Sequence, residues 1–289
     1  MELQRVAIVG VGLLGGSIGL ALKSRGLGAA VMGFGHRPST LQRALEMGAI
    51  DQACQSLPKA VADADLVILC TPVGLFESLL GQMASDLKPG AVVTDVGSTK
   101  RSVVRQAHKL LPRKVQFVGS HPMAGSEKRG IDYARADLFA GATCLLTPVA
   151  KTHAPSLAAV ERFWTALGMR TCRLSPAEHD RKLAAISHLP HAVAAALVHL
   201  QQDAALELAG KGFLDSTRIA GGDAALWRDI FLDNRDQLGA AVARMRAELA
   251  ALARLLRTQD AAALTQWLEK AAQRREALMQ KKLRDMSVE

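Results

Sequence analysis

Aromatic residues make up only 4% of this 289-residue chain, which leaves little for stacking on the bases of nucleic acid. The net charge of +9 is therefore no nucleic-acid signature by itself. Its basic residues are scattered, and the densest run, "KAAQRREALMQKKLRD", reads as a solvated helix face. An anionic small substrate and cofactor suit a positive field equally well. Cysteine is scarce too. Cys54, Cys70, Cys144 and Cys172 never fall in a C-x-x-C pair, which argues against zinc and against a secreted disulfide framework; reduced thiols in the core are expected. The stretch from Val6 to Leu22 has 17 residues without a charge, but Glu2 precedes it and five glycines interrupt it, so it reads as a strand and a turn rather than a signal-peptide core. No other apolar run approaches the ~20 residues of a membrane span. A cytoplasmic protein without membrane or nucleic-acid partners is the expectation.

What is present is ordinary in bulk. Apolar residues at 49% and charged residues at 22% describe a folded chain with room for one large domain or two smaller ones. "RVAIVG" is a short β-branched run, and "VGLLGGSIGLALKSRG" follows it with apolar residues at helical spacing. The alternation continues. "AAVMGFG" reads as a strand and "STLQRALEMG" as a helix capped by Ser39 or Thr40. "DLVILCTP", "AVVTDV" and "VQFVGSHP" read as strands separated by "GLFESLLGQMASDL" and "STKRSVVRQAHKLL" as helices. This pattern predicts a parallel sheet with helices on both faces, a Rossmann-type α/β domain. After "ATCLLTP", "SLAAVERFWTALG" and "RTCRLS" the texture becomes Ala- and Leu-rich and helical to the end. The expected division is residues 1–174 for dinucleotide binding and 175–289 for an all-helical substrate and dimerisation domain. So many apolar helical stripes in so short a stretch call for burial against a second subunit, hence a homodimer.

Gly10, Gly12 and Gly15 fit G-x-G-x-x-G directly between a strand and a helix. That spacing permits a tight turn, close approach of a pyrophosphate and close helix packing, with the helix N-terminus facing the phosphates. A chain that binds NAD normally places Asp or Glu at the end of the next strand, about 20 residues on, to hold the ribose hydroxyls. Here Gly35 stands at that place, and no acid occurs from Leu3 to Leu45. His36, Arg37, Ser39 and Thr40 follow instead, a set suited to a ribose 2'-phosphate. NADP is expected over NAD, with NAD possible if Arg37 only stacks on adenine.

The segment "VGSHPMAGSEKRG" sets Ser120, His121, Ser126, Glu127 and Lys128 just past the carboxyl end of a strand, where open α/β sheets bind ligands; "TDVGST" brings Ser98 to the end of the neighbouring strand. Together with "GLLGGSIGLAL", "CTPV", "SHLPHAVAAAL" and "GFLDSTRIAGGDAALWRDIFLDN", in this order along nearly the whole chain, these segments resemble the prephenate and arogenate dehydrogenases of tyrosine biosynthesis. The resemblance implies oxidative decarboxylation of prephenate, arogenate or both. It implies that His121 accepts the 4-hydroxyl proton and that Ser98 bonds that hydroxyl or orients His121. Ser126, Glu127, His188, His191, Arg218 and Trp227 would form the substrate site, with His191 in polar contact and His188 shaping the pocket. Arg218 would clamp a carboxylate, Glu127 would pair with it to gate the entrance, and Trp227 would line a neighbouring subunit's pocket or sit in the core. Cofactor contacts would come from Leu13 and Leu14 beside the three glycines, from Cys70, Thr71 and Pro72, and from Gly97.

From residue types alone, Arg218 serves equally as an ion-pair partner of Asp215, and His188 and His191, three apart with His179 and Asp180 before them, also have the spacing of a metal site, although no metal is expected. Gly35 departs from the NAD-using members of the family. The chain's end at Glu289 leaves no room for a regulatory or fused mutase domain, so tyrosine feedback would act at the active site. Two rival readings remain: another Rossmann dehydrogenase acting on 3-hydroxy acids, which would use a lysine base in the helical half, and an NADP-binding sensor without turnover.

Overall fold

The computed structural model describes residues 3–126 and 128–287. Strands β1 (Arg5–Val9), β2 (Ala30–Phe34), β3 (Gln52–Cys54), β4 (Leu66–Leu69), β5 (Val92–Asp95), β6 (Gln116–Pro122), β7 (Thr143–Thr147) and β8 (Arg170–Arg173) form one sheet in the order β3-β2-β1-β4-β5-β6-β7-β8. Helices α1 (Leu13–Ser24), α2 (Pro38–Glu46), α3 (Leu57–Val61), α4 (Phe76–Met83), α5 (Arg101–Leu110) and α6 (Ala154–Ala166) connect the strands. Because β1 lies between β2 and β4, the order reverses there, and a crevice opens at the carboxyl ends of β1 and β4.

Strand alternation explains why both faces are dry. Val6 and Ile8 of β1 with Leu66 and Ile68 of β4 enter one apolar layer, while Ala7, Val9, Val67 and Leu69 enter the other. A strand buried on both sides needs an unbroken apolar run, which is what "VAIV" and "LVIL" are.

The sheet departs from the all-parallel expectation at one place: β7 runs antiparallel to β6, pairing Gly119 with Thr147 and Pro122 with Cys144. A parallel return needs a crossover, usually a helix, and between Pro122 and Thr143 the described residues form only the 3-10 turn Ile131–Tyr133. β8 is again parallel to β7, with α6 as its crossover. Two further differences are local. Arg37, not Ser39 or Thr40, occupies the N-cap of α2, because Pro38 starts the helix and no side chain caps it. Among the cysteines, Cys54 and Cys144 are buried, but Cys70 is only partly buried and Cys172 is exposed on β8, the sheet's edge strand.

After β8 the chain is helical: α7 (Pro176–Leu183), a π-helical turn over Ala184–His188, then α8 (Leu189–His199), α9 (Asp203–Leu206), α10 (Lys211–Thr217), α11 (Ala224–Asp233), α12 (Arg235–Thr258) and α13 (Ala261–Ser287). By compactness the chain divides into a unit ending at Gln237 and a second from Leu238. Within the second unit, Val242, Leu249 and Leu256 recur every seven residues along α12, and all three are exposed.

Candidate active site

The turn after β1 is shaped by its glycines. Gly10 has φ +101°, and a Cβ there would meet the Cys70 carbonyl at 2.9 Å; a Cβ on Gly15 would meet the Gly10 carbonyl oxygen at 2.2 Å. At Gly12, the N-cap of α1, a Cβ would meet nothing within 4 Å. No side chain caps this helix and no acid lies in its first turn. Its first N–H groups and its dipole are thus left to an anion, as a bound pyrophosphate requires.

An open cleft of about 680 Å³ extends from this helix end. Leu13, Leu14, Cys70, Thr71, Pro72 and Gly97 line its cofactor side, and burial pushes the Cys70 thiol up, so it stays protonated. His36, Arg37, Ser39 and Thr40 lie outside the cleft lining, on the loop from β2 into α2, with His36, Arg37 and Ser39 exposed. A Cβ at Gly35 would meet only Leu41, at 3.8 Å, so glycine is not required there by crowding.

His121 sits near the end of β6 and lines the same cleft, although only 8% of its surface is exposed. Its Nδ1 is 2.9 Å from Nε2 of His179, whose Nδ1 is 2.9 Å from Oδ1 of Asp180. A carboxylate only accepts hydrogen bonds, so the direction of this chain is fixed: His179 donates from Nδ1 to Asp180, His121 donates from Nδ1 to His179, and Nε2 of His121 keeps its lone pair. Burial first, then the nearby His179, Lys100 and His188, hold the His121 pKa well below the usual imidazole value. At neutral pH it is an unprotonated base. Burial alone would raise the Asp180 carboxyl, but hydrogen bonds from His179 and from the N–H groups of Arg101 and Lys100 outweigh it and keep the pKa below the ordinary range.

Beneath the cleft, Asp95 at the end of β5 accepts from the N–H of Gly97 at 2.8 Å and of Ser120 at 3.1 Å, and pairs with the fully buried Lys100. These contacts hold the Gly97–Ser98 corner against β6. Ser98 lines the cleft. Its neighbour Ser120 points elsewhere, into a buried network with Thr94 at 2.9 Å and the Trp164 indole at 3.1 Å.

The helical half supplies the opposite wall. His191 lies flat on Trp227, ring centroids 3.6 Å apart at 16°, and both line the cleft of their own chain. Gly222 makes this possible, because a Cβ there would meet the Trp227 Nε1 at 2.7 Å. Arg218 and Ser126 are exposed and line the cleft, while Asp215 pairs with Lys211 at 2.8 Å. Glu127 lies outside the described residues. In the loop after β6, Arg129 forms an ion pair with Asp223, which also caps α11.

His188 stands back from the substrate site in which it was grouped. It is fully buried and absent from the lining; its Nδ1 accepts from the Asn234 amide at 3.2 Å, and that amide also donates to the Asp180 carbonyl at 2.8 Å. The π-helical turn that ends at His188 interrupts the regular face on which the two histidines were expected. Burial pushes its pKa down to about 4. Among the described residues no cluster of three or more His, Cys, Asp or Glu is arranged for a metal. Motif reading missed Asn234 and noted His179 and Asp180 only for a metal-like spacing; the signal for their place here was the adjacent polar pair "HD" on α7.

A dinucleotide turn at a sheet's switch point, facing an imidazole with an open lone pair, defines an oxidoreductase of the Rossmann class. The chain belongs to the prephenate dehydrogenase family: residues 18–173 match the model for "Prephenate dehydrogenase, nucleotide-binding domain" and 175–270 that for "Prephenate dehydrogenase, dimerization domain". It is 39% identical over 240 residues to a prephenate dehydrogenase of Bacillus subtilis, covering 81% of this chain and 65% of that protein. The crystal structure of the A. aeolicus prephenate dehydrogenase in complex with hydroxyphenyl propionate and NAD+ superposes with TM-score 0.90 at 34% identity, covering 95% of this chain and 98% of that one. The Synechocystis arogenate dehydrogenase gives TM-score 0.82 at 32% identity, covering 95% and 100%. No described helix is long and apolar enough to cross a membrane.

Proposed function

We propose that this protein catalyses the oxidative decarboxylation of prephenate, arogenate or both, with a nicotinamide dinucleotide as oxidant and as a homodimer formed through its helical half. The single observation that carries this reading is the lone pair of His121 Nε2, held on a residue that lines the same cleft as the open end of α1. The uncapped α1 terminus with the bare Gly12 is the cradle for the pyrophosphate, and Leu13, Leu14 and Gly97 would hold the rest of the cofactor. When bound, that cofactor supplies the hydride acceptor. His121 takes the proton of the hydroxyl on the ring carbon that loses hydride, a contribution typically of 10²- to 10⁴-fold in rate. As the ring carboxylate leaves as carbon dioxide, its bonding pair enters the ring, and the oxygen takes the proton back from His121. Ser98 bonds that oxygen, Arg218 receives a substrate carboxylate, and His191 and Ser126 border the side chain. His188, behind the wall, shapes the site rather than touching substrate.

NADP is the preferred cofactor in this reading. With no carboxylate at position 35, and with Arg37 exposed beside the N-terminus of α2, the end of β2 is complementary to a 2'-phosphate. Residues 1–174 would hold the cofactor and 175–289 the substrate and the second subunit, in the cytoplasm. The test is a steady-state assay of the purified protein crossing both substrates with both cofactors. Turnover of at least one substrate, with higher kcat/KM for NADP, is expected; no turnover in any of the four pairs would overturn the reading. His121→Asn separates an enzyme from a sensor, because it should abolish turnover and leave cofactor affinity intact.

A further inference from the structure

One buried cluster is unused by the reaction as stated so far: His179, Asp180 and their partners behind His121. We propose that His179 and Asp180 are positioning residues that complete a proton relay, in which the Nδ1 proton of His121 passes to His179 Nε2 while the substrate hydroxyl proton arrives at His121 Nε2. The proposal rests on the reading of His121 as the base.

The geometry carries it. Both hydrogen bonds are 2.9 Å, and both donors are fixed by the carboxylate at the end of the chain. The ring centroids of the two histidines are 5.1 Å apart. A cation left on His121 would be buried with the His179 ring, not a carboxylate, as its bonded partner among the described residues. Passed one step back, it sits on His179 against Asp180. The charges facing the pair come from every neighbouring element: Asp95 on β5, Lys100 and Arg101 at the start of α5, Asp180 on α7, the uncharged His188 in the π-helical turn, and Asp236 on α12 through Arg101. Asp180 is the carboxylate bonded directly to the histidine pair, and Arg101 bridges it to Asp236. Burial lowers the pKa of His179 as well, but the hydrogen bond it donates to Asp180 works against that, a compensation His121 lacks.

The step balances. The hydroxyl O–H bond breaks as Nε2–H forms on His121; the Nδ1–H bond of His121 breaks as Nε2–H forms on His179. The hydride with its electron pair goes to the nicotinamide. When the carboxylate's carbon–carbon pair enters the ring, the ring oxygen recovers its proton from His121 and His121 recovers its own from His179. No proton is released overall; the relay lends one.

The test uses the full-length protein, labelled with ¹⁵N-histidine. In the free wild type, His121 and His179 should both show the Nδ1–H tautomer; an Nε2–H signal for His121 overturns the relay whether or not any substrate is turned over. His179→Gln keeps a hydrogen-bond acceptor for His121 but cannot take a proton, so kcat at the pH plateau should fall about 10- to 100-fold, with cofactor Kd and substrate KM little changed. Asp180→Asn removes the charge that stabilises the cation. The acidic limb of the pH–kcat profile should therefore move to lower pH, which a merely structural residue would not do. Full kcat in the first variant or an unmoved limb in the second overturns the proposal. If a variant does not fold, as its melting curve would show, the tautomers of the wild type decide. Absence of turnover in wild type, by contrast, refutes the functional reading and leaves the tautomer measurement standing.

Discussion

At the scale of single residues, the proposed preference for NADP turns on Arg37. A guanidinium there gains charge-assisted bonds only where a phosphate sits on the ribose. Arg37→Ala is expected to weaken NADP at least 10-fold more than NAD in a fluorescence titration of cofactor binding, and equal losses would remove the residue from the phosphate site. The residues proposed for the reaction and those proposed to position them differ in how far the sequence discloses them. The places of His121 and Ser98 in the cleft were legible because these residues sit at or just past strand ends in distinctive segments. Those of His179 and Asp180 were not, since what matters is the pairing of His179 with a residue 58 positions away, which no local pattern encodes. For His188 the sequence spacing gives a helical face but not whether that face meets the cleft or Asn234, so its grouping with the substrate contacts does not hold while a site-shaping place does.

At the scale of elements, the tightest fit is between α1 and the turn that precedes it. Adding one methyl at Gly15 places a carbon 2.2 Å from the Gly10 carbonyl oxygen, and backbone does not yield as a side-chain end does. Gly15→Ala is expected to cost on the order of 1–3 kcal/mol in denaturant unfolding and to weaken cofactor binding together with it. Unchanged binding in a fully folded variant would show that the turn is not the pyrophosphate cradle. Most elements were legible from periodicity: buried strands read as apolar runs, and the helices between them repeat at helical spacing. β3 was missed because "QAC" is three residues long and has no period to detect. The reversal of β7 was missed because composition does not encode strand direction; the connection decides it.

At the scale of the whole molecule, buried neutral imidazoles link stability to pH. Burial depresses the His188 pKa to about 4, and it also lowers those of His121, His179 and His191. An unfolded histidine binds a proton near pH 6.5, whereas these folded ones do not. Their stabilising contribution is thus full above pH ~6.5 and lost progressively as pH falls toward 4. For His188 alone the loss is about 3 kcal/mol. Urea unfolding from pH 7.5 to 4.5 should show the decline, and His188→Gln should flatten it; an identical slope in the variant would contradict the assignment.

Assembly belongs to the same scale. Val242, Leu249 and Leu256 form an exposed stripe at a spacing suited to a partner helix. Leu249→Glu should shift the protein from dimer to monomer in sedimentation velocity, whereas a wild-type monomer would exclude this surface as an interface.

The open space beside Gly35 has a consequence for redesign. A Cβ there would meet only Leu41, at 3.8 Å, so the backbone at the end of β2 leaves room for the first atom of a side chain. A substitution at position 35 would therefore bear on coenzyme choice more than on folding.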